Sequence, residues 1–434
     1  MSDIELSLIF IAVLLILILI RVPIGISLIL VSFSGIWSLL GWKIAWGTLG
    51  VIPYHFASSW LLSSVPAFLF MGFLCYHTRL TEGLFHAARV WLARLPGGLA
   101  VASIFGCAGF AAVTGSSVAC SAAMGKIAVP EMIKNRYDPA LATGTVAAGG
   151  TIGALIPPSI LMILYGVIAQ VPVNELFLGG VGIGLLTMIC YATTIIVRVK
   201  LNPELAPSIS DSVTKTEKLS ALADTWPVIL IALGVFGGLF SGAFTPTEAG
   251  AVGSFLSMVV AILKRSFSWD ALKKTVIETI ITTASLMIIA IGASMLTRFL
   301  ALSGAGDVLS DAILSLGSNP VLVIALICLV YLVLGMVLEP IGAMLLTLPI
   351  VLPVVEETGY SLLWFGVLLT KVLEIGMITP PIGMNVFVIK SVVGNSIPLS
   401  TVFRGVLWFI VIDLVIIVLM VAFPELALFL PRIL

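Results

Sequence analysis

One internal repeat constrains this chain more than any other feature. A Pro-Pro pair sits in Gly153-Ala154-Leu155-Ile156-Pro157-Pro158, and a second sits 223 residues later in Gly376-Met377-Ile378-Thr379-Pro380-Pro381. Each has a further proline 27 residues upstream, Pro130 and Pro353, and Tyr137 and Tyr360 fall in the same register. Helices broken at matching places in two halves of a membrane chain mark a transporter's midplane binding site. Carbonyls freed at such breaks can coordinate a cation, and helix N-termini can face an anion.

The bilayer is the natural solvent for this repeat. Of 434 residues, 60% are hydrophobic and 10% charged, with mean hydropathy +1.23, whereas a soluble domain carries about 25% charged residues. The zero net charge argues against a nucleic-acid partner. Cys75, Cys107, Cys120, Cys190 and Cys328 lie singly in apolar runs without CxxC spacing, as small packing residues do. The first apolar run, Leu6 to Ile20, continues through Arg21-Val22-Pro23 into a second, so it reads as a membrane helix rather than a cleaved signal.

Runs long enough to span lie near 5–20, 24–41, 60–77, 98–114, 140–168, 176–197, 225–241, 247–263, 280–301, 320–338, 361–390 and 400–423. Two shorter runs, 116–132 and 339–355, are interrupted by Gly, Ser and Pro and fit re-entrant hairpins, which membranes tolerate only where protein or a water-filled cavity covers them. The expected fold is an all-α integral membrane protein. Residues 1–199 form one half, with a hairpin at about 115–132 and a broken helix at about 140–168. A polar linker covers 200–224. Residues 225–434 form the other half, with a hairpin at about 335–355 and a broken helix at about 361–390.

Charge shows how the halves are related. Residues 76–147 contain Arg79, Arg89, Arg94, Lys126, Lys134 and Arg136, while the equivalent 299–370 contain no Lys or Arg. Cytoplasmic loops collect these residues, so equivalent loops should face opposite sides, as in an inverted-topology repeat. Arg21, Lys264, Arg265, Lys273 and Lys274 would then be cytoplasmic and the N-terminus outside. The stretch Thr81 to Leu95 puts Leu84, Ala88, Trp91, Leu92 and Leu95 on one face, and residues 267–279 look similar. Both read either as interfacial helices or as solvated connectors.

Several segments carry candidate chemistry. Thr114 to Ala123 is small and hydroxyl-rich, suited either to close backbone packing or to offering oxygens to sodium. Proline lacks an N–H and clashes with the carbonyl one turn earlier, so carbonyls near Gly153 and Ile156 should lose their helix partners. In the second half, Glu339 is a carboxylate in an apolar setting, a functional candidate by default. Thr379 adds a hydroxyl and Asn385 an amide. Lys371 and Glu374, three apart, could simply pair. Glu248 follows Thr245 and Thr247 and suits the start of a capped helix. Arg298 could hold an anionic substrate or snorkel to the interface.

The segment Gly115 to Gly166 resembles the signature region of the large membrane subunit of TRAP transporters, the DctM-like permeases. Gly242 to Gly253, Gly335 to Val354 and Glu374 to Ile389 continue the likeness along the whole chain. Position 339 is Glu where the family often has Asp, which keeps the charge. The resemblance implies sodium-coupled uptake of a small organic acid, such as a dicarboxylate or sugar acid, across the bacterial inner membrane. It also implies two partners, a periplasmic substrate-binding protein and a small four-helix membrane subunit. The hairpins and broken helices would move as a transport domain against a scaffold, in elevator fashion. It places one sodium site at Ser116, Ser117, Gly153, Ile156 and Pro158, and a second at Gly335, Gly376 and Thr379, with Glu339 a candidate beside it. Two such pockets imply at least two ions, and Arg298, Thr379 and Asn385 are candidates for the substrate.

Two other readings compete. A stand-alone sodium/dicarboxylate symporter would share these devices without needing a binding protein. An intramembrane aspartyl protease is hinted at by Tyr137-Asp138, Pro139-Ala140-Leu141 and Gly304-Ala305-Gly306-Asp307, but the motif order is reversed and Asp138 sits beside Lys134 and Arg136. His55, His77 and His86 form no HExxH, and there is no GxSxG, so metal or serine hydrolysis has less support still.

Overall fold

The computed structural model describes residues 3–207, 214–305, 308 and 319–433. Asp307, and with it the acid of the GxGD-like stretch, lies outside them. The first half runs α1 (Asp3–Leu19), α2 (Ile24–Leu40), α3 (Trp42–Ala57), α4 (Ser64–His77), α5 (Glu82–Leu92), α6 (Gly98–Thr114), α7 (Ser117–Lys134), α8 (Pro139–Thr151), α9 (Ile160–Ala169) and α10 (Val173–Leu201). The second runs α11 (Lys215–Ala223), α12 (Trp226–Phe240), α13 (Pro246–Leu263), α14 (Trp269–Ser303), α15 (Pro320–Gly335), α16 (Pro340–Glu357), α17 (Leu362–Gly376), α18 (Met384–Val393), α19 (Leu399–Ala422) and α20 (Glu425–Ile433). Among the described residues there is no strand.

The 223-residue repeat governs the entire architecture. Shifting α7 by 223 gives the bounds of α16, and α1, α2, α8 and α9 land within one residue of the starts of α12, α13, α17 and α18. The helix α14 corresponds to α3 and α4 joined. In the first half Pro53 and the Ser58-Ser59 turn interrupt this stretch. The 35 residues of α14 contain no proline and a single glycine, Gly292, so nothing breaks the helix. Residues 267–279 therefore lead straight into a span instead of forming a separate interfacial arm.

Both re-entrant units are longer than the interrupted runs alone. About Gly115, Met124 of α7 faces Gly106 of α6, where a Cβ would stand 2.7 Å from the methionine methyl. The Cys120 thiol likewise meets the Cys107 carbonyl at 3.5 Å. About Glu339, the Thr347 hydroxyl of α16 donates to Tyr331 of α15 at 2.6 Å. Residues on opposite sides of each tip touch, so α6–α7 and α15–α16 are antiparallel hairpins, and the apolar runs at 98–114 and 320–338 are their first arms. Among the described residues, six helical segments are long and apolar enough by length and composition to cross a bilayer alone, counting the turn Trp60–Ser63 with α4 and including the hairpin arm α16. Leu233, Phe255 and Val418 are each at least 65% exposed on their outer faces, which suits lipid contact.

Two groups of helices result. In one, α2 packs on α14 and α4 on α13, pairs that the repeat exchanges. In the other, the hairpins and broken helices pack with α10 and α19, with α8 against α19 and α10 against α17. The α8–α19 crossing is backbone on backbone: a Cβ on Gly144 would lie 2.2 Å from the carbonyl carbon of Gly405. Along α5, Phe85 and Ala87 are buried and Leu84 covers Gly109 of α6, whereas Trp91 and Leu95 face outward. Trp91 instead donates to the Lys218 carbonyl of α11 at 3.2 Å. The polar 200–224 stretch is thus partly helical, because Thr214 and Glu217 close a capping box at the start of α11.

Candidate functional site

Each helix break lies under the tip of its own half's hairpin. The Pro157-Pro158 and Pro380-Pro381 bonds are both cis. A turn at Ile152–Ala154 ends the α8 segment, and a Cβ on Gly153 would stand 3.0 Å from the Ser117 Cα. At Gly115, with φ +63°, a Cβ would stand 1.9 Å from the Pro158 carbonyl oxygen. In the second half a Cβ on Gly376 would stand 2.4 Å from the carbonyl carbon of Gly335. At Gly115 and Gly376 only glycine permits such approach. The structure therefore brings Ser116, Ser117, Gly153 and Pro158 together, and separately Gly335 and Gly376. Ile156 sits just before the proline pair and packs toward Gly184, while Thr379 is buried with its hydroxyl donating to the Ile375 carbonyl at 2.7 Å.

Between the two tips, α4 and α14 lies a cavity of about 450 Å³. The first residues of four helices line it: Ser117 of α7, Ile160 of α9, Pro340 of α16 and Met384 of α18. Ser116 caps α7 by accepting from the Ala119 N–H at 3.3 Å, and Ser159 caps α9 by accepting from Met162 at 3.3 Å. Each helix start presents unpaired N–H groups and about half a positive charge. Among the described residues, the charged side chains lining the cavity are Glu278, Glu339 and Glu374, with neither Lys nor Arg. Glu278 meets the His77 ring at 3.0 Å. Four helix starts and three carboxylates thus line the same cavity.

Arg298 is not part of this cavity. It lines a separate cleft with His55, Ser294 and Thr297. Asn385 is fully buried behind the tips, and neither it nor Thr379 lines the cavity. Sequence reasoning missed Glu278, Ser159 and the N-terminus of α18. The signal for Ser159 was present, since a serine directly after a proline pair and before an apolar run is an N-cap pattern. Among the described residues no group of three His, Cys, Asp or Glu could hold a metal.

Lys371 and Glu374 do not pair with each other. Lys371 reaches Asp413 of α19 at 2.5 Å, with both side chains fully buried, and Tyr191 of α10 donates to the other Asp413 oxygen at 2.6 Å. The Tyr191 hydroxyl also lies 3.4 Å from that of Thr151, the last residue of α8. One polar chain, Thr151–Tyr191–Asp413–Lys371, thus links the two broken helices. Glu374 instead accepts from the Ser117 hydroxyl at 3.0 Å, crossing from one half to the other. Asp138 caps α8 by accepting from Leu141 at 2.9 Å, and Glu248 closes a capping box with Thr245 at the start of α13, both structural roles.

Comparison with known proteins identifies the family and the fold. Residues 11–426 match the family described as the tripartite ATP-independent periplasmic transporter, DctM component. The chain is 32% identical over 388 residues to the C4-dicarboxylate TRAP transporter large permease protein DctM of Pseudomonas aeruginosa, covering 89% of each. It is 29% identical over 411 residues to the sialic acid TRAP transporter large permease protein SiaM of Vibrio cholerae, covering 93% of this chain and 94% of that one. Among solved structures, the YdaH transporter of Alcanivorax borkumensis shares the fold, with TM-score 0.64 at 16% identity over 89% of this chain and 90% of that one. These relatives are transport proteins, not enzymes. The chain is a multi-pass membrane protein that belongs to the DctM component family, the large permease of TRAP transporters.

Proposed function

We propose that this chain imports a small organic acid across the bacterial inner membrane, driven by sodium and fed by a periplasmic binding protein, together with a small four-helix membrane subunit. The observation that carries the reading is the cavity lined by the starts of four helices and, among the described residues, by no Lys or Arg. Helix ends favour an anion, but three lining carboxylates oppose one, and bound sodium ions would restore the balance. The ions would sit where each hairpin lies on its break: at Ser116, Ser117, Gly153, Ile156 and Pro158, and at Gly335, Gly376 and Thr379 with Glu339 near. Neutral hydroxyl and carbonyl oxygens suffice for a monovalent cation, and their positions depend on both tips remaining seated.

Occupied ion sites would therefore shape the cavity before the acid binds, giving coupling without a charged side chain for the carboxylate. The hairpins, broken helices, α10 and α19 would carry the load past the frame of α2, α4, α13 and α14, an elevator motion. The test is uptake of labelled succinate into proteoliposomes holding this chain, its small subunit and the binding protein. The expected result is accumulation under an inward sodium gradient that stops when the binding protein is omitted. Uptake by this chain alone would establish the stand-alone symporter instead.

A further inference from the structure

Behind the first hairpin tip lies a cluster of buried polar atoms that shares Glu374 with the cavity and Ser117 with the first ion pocket, whereas Ser121 and Asn385 line neither. Glu374 is 2% exposed, and its Oε1 accepts from Ser117, but its Oε2 has no partner among the described residues. Ser121 and Asn385 are fully buried, and the Ser121 hydroxyl and both Asn385 amide atoms also have no partner. Ser121 and Asn385 crowd the same side of Gly150, and Glu374 joins them through its bond to Ser117. At the point where a Cβ on Gly150 would stand, the Ser121 oxygen is 1.9 Å away, the Ser117 carbonyl oxygen 3.1 Å and the Asn385 amide nitrogen 3.2 Å. The Asn385 backbone N–H donates to the Met377 carbonyl at 2.9 Å, which ties the start of α18 to the end of α17 three residues beyond Glu374.

Charge balance points the same way. The nearby Lys371 is engaged by Asp413, leaving the Glu374 carboxylate with only a serine hydroxyl. A buried charge without a counter-charge is strongly unfavourable, and unpaired buried oxygens add to the cost. A single proton could satisfy the carboxylate and one acceptor, whereas the cluster offers a carboxylate oxygen, an amide oxygen, a hydroxyl and a carbonyl. Such hard oxygens, with one negative charge, match one small monovalent cation.

We propose that Ser117, Ser121, Glu374 and Asn385 form a further sodium site, between α7, α8 and the second broken helix, beyond the pair of hairpin pockets. It would bind the two halves together, since Ser117 and Ser121 come from one and Glu374 and Asn385 from the other. The inference rests on the sodium-coupled reading above. The test is equilibrium binding of ²²Na⁺ to the purified full-length chain, comparing wild type with Glu374→Gln and Ser121→Ala. The expected result is about one sodium fewer per chain in E374Q and about tenfold weaker binding of one ion in S121A. The serine variant keeps the test decisive if the glutamine variant misfolds, because deleting an unpartnered buried hydroxyl should not harm the fold. Unchanged stoichiometry and affinity in S121A, or in a folded E374Q, would overturn this site alone. Absence of sodium on the wild type would overturn both this site and the coupled reading.

Discussion

Replacing Lys371 with Met should destabilise the protein far more than replacing both members of its ion pair. The 2.5 Å contact between Lys371 and Asp413 is fully buried, and at an effective dielectric of about 20 the attraction is worth roughly 6–7 kcal/mol. Removing each ion from water costs several kcal/mol, so the pair as a whole is close to neutral against apolar residues of similar size. Lys371→Met deletes the attraction but leaves the Asp413 carboxylate buried, held only by the Tyr191 hydroxyl. The expected loss is about 3–5 kcal/mol, and Asp413→Leu should lose as much by stranding the lysine. The double variant K371M/D413L should recover most of it, losing only about 1 kcal/mol, which gives a coupling of roughly 5–9 kcal/mol. Reversible unfolding in mixed micelles, followed by circular dichroism, measures all four proteins of this cycle. Additive losses would show that the two residues do not share one buried interaction and would refute the link between α17 and α19.

The other predictions follow from the same contacts. Tyr191→Phe removes the hydroxyl between Thr151 and Asp413 and should cost about 1.5–3 kcal/mol in the same unfolding assay, as expected for a hydrogen bond to a charged partner. Gly376→Ala should abolish sodium-driven uptake, because its Cβ would meet backbone at 2.4 Å, while Gly153→Ala, whose nearest contact is 3.0 Å, should retain part of it. Equal transport by these two variants would contradict the backbone-on-backbone seating of the tips. Gly144→Ala, with a 2.2 Å approach to Gly405, should destabilise by about 1–3 kcal/mol through overpacking, measured as a lower unfolding midpoint.

The segments that build the site were legible because their signals are local. Pro157-Pro158 and Pro380-Pro381 mark the breaks directly, and Gly-Ser-Ser and Glu-Pro mark the hairpin tips. The true length of each hairpin was hidden, since α6 and α15 are apolar enough to pass for spans and only contacts such as Tyr331–Thr347 show that they fold back. Partners across the halves were also hidden. Lys371 has Glu374 at helical spacing, yet its actual partner lies 42 residues on, and Glu374 bonds a serine 257 residues away. The lone acid Asp413 in the apolar α19 was the one clue, for a buried carboxylate in a membrane helix needs a counter-charge. The inward face of α5 was misjudged because the groove of α6 at Gly109, rather than the helix's own pattern, selects which side chains are buried.

The central claim is that a carboxylate and its ions meet between the hairpin tips. It is tested most directly by cryo-electron microscopy of the full complex with succinate, with and without sodium. The account predicts substrate density between Ser117 and Pro340 only in sodium, with further density at the Gly153 and Gly376 breaks. Substrate density beside Arg298, or density between the tips that persists without sodium, would contradict it.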